Sequence, residues 1–323
     1  MYNVSFTLPS DLDGRPIPVT EIAAEQPRFV VQILHGMAEH RARYVPFMEY
    51  IAARGGALLV SDHRGHGENV GSPEDLGYFG PDGADAALAD VHTVGNYLRE
   101  KYPSLPFILM GHSMGTLIAR AYAAGHDELL DGMLLTGEAS NNPAIGAALF
   151  LTQMIALFRT DRYRSPLLDR LTVGGYDRAF QAEAADDPLK GELLWLSADV
   201  DNRRRYREDP LCGTPFTLNG FATLFTFMRR AYAPKYWNVR HRDMPILFLS
   251  GQKDPVMTSP RHFFDAVRFL QDMGYRNVCG KLYPGMHHEI LFETDRLSVY
   301  EDIAAFLLAF AQNHSEEIIF DGM

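Results

Sequence analysis

One pentapeptide of the 323-residue chain has the composition of a turn that exposes a nucleophile: Gly111-His112-Ser113-Met114-Gly115. The apolar run 106–110 precedes it, and apolar residues at helical spacing follow it: Leu117, Ile118, Ala121 and Tyr122. This pattern predicts a buried strand, a tight turn and a helix. The two glycines remove side chains that would collide with the strand and the helix, so the Ser113 hydroxyl is predicted to project above the sheet edge. The helix start places unpaired N–H groups near the same point.

A serine hydroxyl is a weak nucleophile at neutral pH, so Ser113 needs a base, and that base needs an orienting carboxylate. Two downstream loops supply candidates: the loop after residue 250 contains Asp254, and the loop after residue 283 contains His287 and His288. In parallel sheets such groups belong at the carboxyl ends of strands. The order Ser113, Asp254, His288 is the one expected of an α/β-hydrolase.

The base and its carboxylate each have alternatives. His287 competes with His288 for the role of base, and Asp254 has a second interpretation as a turn cap before a proline. Asp243 and Asp265 are less suited as the carboxylate, because the first precedes its strand and the second lies inside a predicted helix.

The elements that position these residues alternate along the chain as strand and helix. Strands are predicted at 2–7, 15–22, 29–34, 57–61, 106–110, 131–136, 245–250 and 278–283, and helices at 44–54, 84–101, 260–273 and 299–312. Such alternation gives a mostly parallel central sheet flanked by helices on both faces. The predicted fold class is therefore α/β, with the α/β-hydrolase fold.

The alternation stops between about residues 139 and 237, where the patterns are helical or polar. A helical block between two strands of one sheet is typical of an inserted lid. We therefore expect a hydrolase core formed by residues 1–138 and 238–323, and a helical cap formed by residues 139–237, called the cap segment below. Its first helical stretch, Pro143–Phe158, carries an apolar stripe with two interpretations. The stripe packs on the core, or it forms an apolar acyl-chain entrance that contacts lipid surfaces.

Five motifs give the sequence a family resemblance. They are His35-Gly36-Met37-Ala38-Glu39-His40, Asp62-His63-Arg64-Gly65-His66-Gly67, the serine pentapeptide, Asp254-Pro255-Val256 and Gly285-Met286-His287-His288-Glu289. With them the chain resembles, over nearly its whole length, the serine α/β-hydrolases of the monoacylglycerol lipase and lysophospholipase type, sometimes grouped with serine aminopeptidases. The cap stretches Leu194–Ser197 and Asp209–Gly213 also look like bacterial members of that group. The resemblance implies a triad of Ser113, Asp254 and His288, and the family's G-x-x-H-E pattern assigns the base to His288.

An oxyanion hole needs two backbone N–H groups directed at the developing alkoxide. The resemblance implies those of Met114, directly after the nucleophile, and of Met37, in the loop after strand 29–34. The side chains of both methionines can line the acyl pocket. The polar residues of the two neighbouring motifs are expected to brace the site rather than do chemistry: His35, Glu39, Asp62, His63, Arg64 and His66.

Composition and charge exclude several function classes. The net charge of −11 argues against nucleic acid as a partner, and the triplet Arg203–Arg205 is expected to be a solvated helix face or loop. The histidines and the two cysteines, Cys212 and Cys279, show no metal-ligand spacing, so we expect no metal and no cofactor, and reduced cysteines. The N-terminus resembles no signal peptide and no apolar run is long enough for a transmembrane helix, so a cytoplasmic location is expected.

The expected function is a serine carboxylic-ester hydrolase that cleaves single-chain lipid esters, monoacylglycerol or lysophospholipid, through an acyl-enzyme. Its expected partner is the small-molecule lipid ester, with transient lipid-surface contact through the cap segment. One alternative is a serine aminopeptidase similar to proline iminopeptidases, in which a cap carboxylate holds the substrate's α-amino group; Glu183, Glu192 and Asp199 are available. Another is a non-catalytic ligand-binding protein on a hydrolase fold, which the intact serine, aspartate and histidine disfavour. The sequence does not set the oligomeric state.

Overall fold

The computed structural model describes the backbone of residues 1–320 and the side chains of residues 1–312. Its eight strands are β1 (Tyr2–Pro9), β2 (Pro16–Ala23), β3 (Phe29–Leu34), β4 (Gly56–Ser61), β5 (Phe107–His112), β6 (Gly132–Thr136), β7 (Ile246–Gly251) and β8 (Val278–Tyr283). The α-helices in this range are α1 (Val45–Ala52), α2 (Gly83–Lys101), α3 (Met114–His126), α4 (Ile145–Ala156), α5 (Pro166–Thr172), α6 (Gln181–Ala184), α7 (Val200–Glu208), α8 (Leu218–Tyr232), α9 (Pro260–Met273) and α10 (Arg296–Phe320).

The strands form one sheet in the order β1-β2-β4-β3-β5-β6-β7-β8. The β1–β2 and β2–β4 pairs are antiparallel, and all the other pairs are parallel. Strands β3 to β6 are buried along their whole length, as expected of parallel strands covered on both faces. The predicted mostly parallel α/β sheet is confirmed.

Two hydrophobic layers lie on opposite faces of this sheet. Along β3, Val30 and Leu34 point into the layer that also contains buried residues of α2, α3, α8 and α9, while Val31 and Ile33 point into the layer formed with α1 and α10. This alternation follows from the two-residue period of a strand. The helices on each face of the sheet therefore pack their apolar sides against it.

The loops that carry the predicted site residues all leave the carboxyl edge of the sheet. Strand β4 lies on one side of β3, and β5 lies on the other side. The order in which successive strands are added to the sheet therefore reverses between β3 and β5. Ligands of open α/β sheets bind at such a switch point. The loop with Met37 follows β3 and the turn with Ser113 follows β5, so both meet there.

Between β6 and β7 the described chain contains helices α4 to α8 and no strand. Helix α4 is apolar on both sides: Ile145 and Ile155 pack against the core, while Phe150 on the other side is 62% exposed. Leu157 and Phe158, just past the helix, are 70% and 81% exposed. The stretch 143–158 therefore matches the packing interpretation on one face only, and Phe158 lies outside that packed face.

The arginine triplet corrects a second expectation. The Arg203 side chain is fully buried in α7, where its guanidinium pairs with the carboxylate of Asp187 and donates to the carbonyl oxygen of Glu192 at 2.9 Å. Arg204 and Arg205 are exposed as expected. The solvated-face interpretation is wrong for Arg203 because one side of this polar helix packs inward.

Within residues 1–320, the structure has no helix that is both long enough and apolar enough to cross a membrane. The cytoplasmic location stays a prediction. Both cysteines are free thiols: Cys212 is buried and Cys279 is exposed.

Candidate active site

Ser113 is the apex of the turn between β5 and α3, and its backbone has φ +53° and ψ −117°. A positive φ is unfavourable for a residue with a side chain, so the surroundings must hold it. The Ser113 N–H donates to the carbonyl oxygen of Thr136 at 2.9 Å. The Ser113 carbonyl oxygen accepts from the N–H and the hydroxyl of Thr116, at 2.9 and 2.7 Å. These bonds fix the serine to the neighbouring strand and to the first turn of the helix.

The two glycines of the pentapeptide allow a close approach of backbone to backbone. A Cβ on Gly111 would overlap the carbonyl oxygen of Gly115, and a Cβ on Gly115 would overlap that of Leu34 at the end of β3. Neither obstacle is a flexible side chain that could move aside. The spacing of the glycines is therefore explained by the contact of α3 with β5 and β3.

His288 and Asp254 are in direct contact after β8 and β7. His288 Nδ1 lies 2.8 Å from Asp254 Oδ2, and both side chains are buried. Asp254 Oδ2 also accepts from the hydroxyl of Ser250 at 2.9 Å, and its Oδ1 accepts from the N–H of Val256 at 2.8 Å. Asp254 thus caps its turn and contacts the imidazole at the same time. The interpretation as a turn cap and the interpretation as the partner of His288 are therefore compatible.

The electrostatic surroundings favour a charge on His288. Burial alone would lower its pKa, but the Asp254 carboxylate and the hydrogen bond to it outweigh burial and raise the pKa of His288 above 6.5. The ring of His112 lies 5.0 Å from that of His288, between centroids. Burial and the nearness of His288 lower the pKa of His112 to about 4, so His112 is neutral at neutral pH.

The competing residues lie elsewhere. His287 turns its Nδ1 toward Glu293 Oε1 at 3.2 Å, and its ring packs on Phe180 with the centroids 4.9 Å apart. Of the two histidines, His288 lines the same cavity as Ser113. The other candidate carboxylates form surface ion pairs with arginines: Asp243 and Asp265.

That cavity has a volume of about 620 Å³ and lies between the carboxyl edge of the sheet and the cap segment. Met37 and Met114 line it with Ser113 and His288. Within the described chain the N–H groups of both methionines donate no hydrogen bond, and Met114 is the first residue of α3, where N–H groups lack intrahelical acceptors. The cap contributes mostly apolar wall residues: Ile145, Leu151, Leu168, Trp195, Leu224 and Phe225.

A buried ionic group, called the Arg43 cluster below, braces this side of the cavity. The Arg43 guanidinium bonds Glu39 Oε2 at 2.6 Å and both carboxylate oxygens of Glu289 at 2.7 and 2.8 Å. Asn202 of α7 bonds both Arg43 and Glu289, at 3.2 and 2.7 Å. Burial alone would raise the pKa of Glu289, but the Arg43 charge outweighs it and holds that pKa below its usual range. Glu39 also accepts the Gly36 N–H at 2.5 Å, so the loop of Met37 and the loop of His288 share one support.

The two polar motifs near the site form neutral or fully paired contacts. The rings of His35 and His63 lie 4.1 Å apart, and the His63 N–H donates to His35 Nε2 at 3.1 Å. Burial lowers the pKa of His63 to about 3 and that of His66 to about 4. Asp62 pairs with Arg41, and Arg64 pairs with acidic residues. These contacts are of the kind expected of bracing residues, and the prediction that these residues do no chemistry stays a prediction.

Several residues that the structure places around the site were assigned no role there from the sequence. Trp195 of the cap stacks near His288 with ring centroids 5.4 Å apart, and its carbonyl oxygen accepts the His288 N–H at 3.3 Å. Asp169 and Asp177 bring carboxylates to the cavity wall. The acids named for an aminopeptidase do not line the cavity, since each pairs with a basic side chain or caps a helix: Glu183, Glu192 and Asp199.

Comparison with known proteins identifies the family of the chain. The family model described as serine aminopeptidase, S33 matches residues 25–295, which is most of the chain. The chain belongs to this S33 family. A monoacylglycerol lipase of Mycolicibacterium smegmatis is 27% identical over 290 residues, covering 88% of this chain and 89% of the relative.

Solved structures place the S33 member among hydrolases. A thermostable carboxyl esterase from Bacillus coagulans, in complex with glycerol, has a TM-score of 0.83 and 26% identity, covering 96% of this chain and 99% of the other. A monoglyceride lipase from Saccharomyces cerevisiae with a substrate analog shares the fold, with a TM-score of 0.70, 20% identity and coverages of 95% and 94%. The predicted family resemblance, the α/β-hydrolase fold and the enzyme class of serine hydrolase are confirmed.

Proposed function

We propose that this S33 member is a serine carboxylic-ester hydrolase that cleaves single-chain lipid esters, monoacylglycerol or lysophospholipid, through an acyl-enzyme. The observation that carries the proposal is that Ser113 and His288 line the same mostly apolar cavity, with His288 bonded to Asp254. The monoacylglycerol lipase name of a relative that covers most of the chain supports the same substrate class.

In the acylation half of the reaction, the Ser113 oxygen attacks the ester carbonyl carbon while His288 Nε2 takes the hydroxyl proton. Asp254 holds the other imidazole nitrogen and stabilises the imidazolium that forms. The N–H groups of Met37 and Met114 donate to the oxyanion of the tetrahedral intermediate. When the intermediate collapses, the ester C–O bond breaks, and His288 gives its proton to the leaving alkoxide of the glycerol or glycerophosphate group.

In the deacylation half, a water molecule takes the place of the alcohol. His288 accepts a proton from the water as its oxygen attacks the Ser113 acyl ester, and the same oxyanion donors hold the second intermediate. Breaking the serine–acyl bond returns the proton to Ser113 and releases the fatty acid. All the proton transfers use one imidazole, and the cycle regenerates the enzyme.

The cap segment, residues 139–237, acts in this proposal as a separate lid domain on the core formed by residues 1–138 and 238–323. The inner face of α4 lines the cavity, while its outer face and the residues after it expose Phe150, Leu157 and Phe158. Exposed apolar side chains on and just after a helix that lines an apolar cavity fit transient contact with a lipid surface, from which the acyl chain would enter.

Replacing both Leu157 and Phe158 with serine is expected to weaken binding to zwitterionic phosphatidylcholine vesicles about tenfold or more, since each apolar side chain fully removed from water is worth about 1.5–3 kcal/mol. Turnover of vesicle-embedded monoacylglycerol should fall with it. Turnover of a short, monomeric p-nitrophenyl ester should stay unchanged, because neither side chain contacts the reacting groups. Vesicle co-sedimentation and the two assays measure these effects.

Leu297→Ser is the matched control, since Leu297 is 58% exposed on the core helix α10 and is not part of the cap segment. It should bind vesicles like the unsubstituted protein. Equal vesicle binding by the double variant and this control would contradict the lipid-surface role of the cap.

Aminopeptidase activity is a second candidate because of one observation on the cavity wall. The carboxylate of Asp169 lies there and accepts no hydrogen bond within the described residues, so it could hold a substrate's α-amino group. Asp177 is less suited, since its oxygens already accept the N–H groups of Leu193 and Trp195 at 3.2 Å.

A substrate panel is expected to decide between ester and amide chemistry. Monoacylglycerols should be hydrolysed and proline naphthylamide should not, because the cavity wall is mostly apolar. Until the cavity is filled, each added acyl methylene should raise kcat/KM about fourfold, since one buried CH₂ contributes about 0.8 kcal/mol. Measuring kcat/KM for esters of graded chain length and for the amide tests this.

Asp169→Asn serves as the control for the amide assay. Naphthylamide turnover that exceeds ester turnover and is lost in this variant would establish the aminopeptidase instead. If a fluorophosphonate probe failed to label Ser113 and no substrate turned over, the non-catalytic alternative would hold.

A further inference from the structure

Three side chains of metal-binding type come together between the core and the cap, on the side of the oxyanion loop that follows β3. His40, Asp209 and Cys212 each offer one ligand atom, and these atoms all lie within 4.8 Å of one another. His40 Nε2 and Asp209 Oδ2 are 2.8 Å apart. None of the three residues has a part in the proposed ester hydrolysis.

We propose that His40, Asp209 and Cys212 form a site for one zinc ion, which joins the oxyanion loop to the cap. A thiolate, an imidazole and a carboxylate are the three ligand types that zinc takes in proteins. Two of the three are soft or borderline ligands, which disfavours magnesium and calcium, since those ions prefer oxygen.

The surroundings of the Cys212 thiol support a metal site independently of the three-ligand cluster. It is nine-tenths buried, yet within the described residues its Sγ makes no hydrogen bond, although it lies beside a histidine and an aspartate. The other cysteine, Cys279, is exposed on β8. A buried, unpartnered sulfur directed at two other ligand groups is what a soft cation would complete.

The local backbone already has the form of a chelating turn. The Cys212 N–H donates to the carbonyl oxygen of Asp209 at 3.0 Å, so two ligands project from one tight turn. Asp209 Oδ1 accepts from the N–H of Leu211 at 2.9 Å, which orients the carboxylate and leaves Oδ2 for the metal. Tetrahedral zinc, with bonds of about 2.0–2.3 Å, separates its ligand atoms by roughly 3.3–3.8 Å. The observed spacing needs only small side-chain movements to reach that.

Zinc binding would release one proton and replace one hydrogen bond with metal bonds. The zinc–sulfur bond forms as the Cys212 thiol releases its proton to solvent, and the zinc–nitrogen bond uses the lone pair of His40 Nε2, with the ring hydrogen on Nδ1. The hydrogen bond between His40 and Asp209 is replaced by two metal bonds. The Asp209 side chain is 29% exposed, so its solvent side offers an entry path and room for a water as the fourth ligand.

A zinc ion at this position would link the cap to the oxyanion loop. The Ala38 carbonyl oxygen, two residues before His40, accepts from the Gly213 N–H at 2.9 Å and from the Tyr206 hydroxyl at 3.0 Å. The cap turn and the oxyanion loop are thus already in contact, and zinc would add a covalent-strength link between them. The sequence could not show this site because His40 lies 169 positions before Asp209. The expectation of no metal is the one this proposal revises.

Cobalt(II) is the probe, because it substitutes for zinc and a cobalt–thiolate bond gives a charge-transfer absorption band. Titrating the full-length protein, purified with chelator, should give this band with a stoichiometry of one, and added zinc should remove it. Magnesium should have no effect. Zinc should also raise the melting temperature, since a ligand that binds the folded state stabilises it.

Cys212→Ser should lose the band, and His40→Gln should weaken cobalt binding at least about tenfold. Cys279→Ser is the matched control and should keep both the band and the zinc-induced rise in melting temperature. Circular dichroism shows whether each variant is folded. No band in the unsubstituted protein, a band that persists in Cys212→Ser, or a band lost only in Cys279→Ser would overturn the proposal.

Discussion

Ser113→Ala is expected to lower kcat/KM for p-nitrophenyl acyl esters by roughly 10⁴- to 10⁶-fold. In the proposed mechanism the substitution removes the atom that forms the acyl-enzyme, while the proposed oxyanion donors and the cavity remain and leave a small residual rate. Steady-state hydrolysis measured beside labelling by a fluorophosphonate probe gives the result. Labelling should disappear along with turnover.

The fold should tolerate this change. Alanine keeps the Cβ, so the positive φ of residue 113 is as strained in the variant as in the serine form, and the backbone bonds to Thr136 and Thr116 are unaffected. The melting temperature should therefore stay within about 2 °C. Ser104→Ala, on an exposed turn, is the matched control and should retain full activity. Turnover preserved in Ser113→Ala would contradict the assignment of the nucleophile.

Asp254→Asn is expected to lower kcat by about 10⁴-fold. The reason lies in the bonds that Asp254 makes. The Val256 N–H donates to Oδ1, so an amide at this position would turn its oxygen toward Val256 and its NH₂ group toward His288 Nδ1. The imidazole would then carry its hydrogen on Nε2 and could not accept the proton of Ser113. Single-turnover kinetics measure the loss in the chemical step.

The same variant is expected to change the pH dependence. In the unsubstituted protein kcat/KM should fall on the acid side with a midpoint above pH 6.5, because a protonated His288 cannot act as a base and its pKa is raised above that value. Without the Asp254 charge, burial remains and lowers the pKa of His288, so the midpoint should move to lower pH. Asp265→Asn, in a surface pair with Arg268, is the control and should keep the original midpoint. A midpoint that is equal in Asp254→Asn and its control would show that Asp254 does not act on His288.

The part of the site that could be predicted from the sequence is the part encoded locally. The positions of Gly111 and Gly115 are determined by backbone contacts within one strand–turn–helix unit, so their spacing is visible in five residues. Strands β3 to β6 are buried on both faces, and so they read as continuous apolar runs. The predicted end of β5, residue 110, is two residues too early, since Gly111 and His112 still pair with β6.

The rest depends on contacts between distant segments, which leave no periodic signal. Arg43 meets Glu289 across 246 positions, and only its pairing with Glu39, four residues earlier, is visible locally. Arg203 looked solvated because its partner Asp187 lies in an irregular stretch of the cap. Asp169 reaches the cavity only because α5 folds over it. The cap supplies much of the cavity wall, and the sequence pattern of a single helix does not predict how the cap packs on the core.

The Arg43 cluster makes the enclosure of the cavity asymmetric. Its almost completely buried charges link the α7 side of the cap to the loop of Met37 and to the loop of His288. Removing one partner from such a group destabilises the fold by about 3–5 kcal/mol. On the opposite rim, α4 and α5 are held mainly by apolar packing, which is weaker per contact and non-directional. We therefore expect the α4–α5 rim to move more easily than the α7 side of the cap. In the proposed reaction an incoming acyl chain would then enter over the apolar rim, while the backbone N–H groups near Ser113 stay in place.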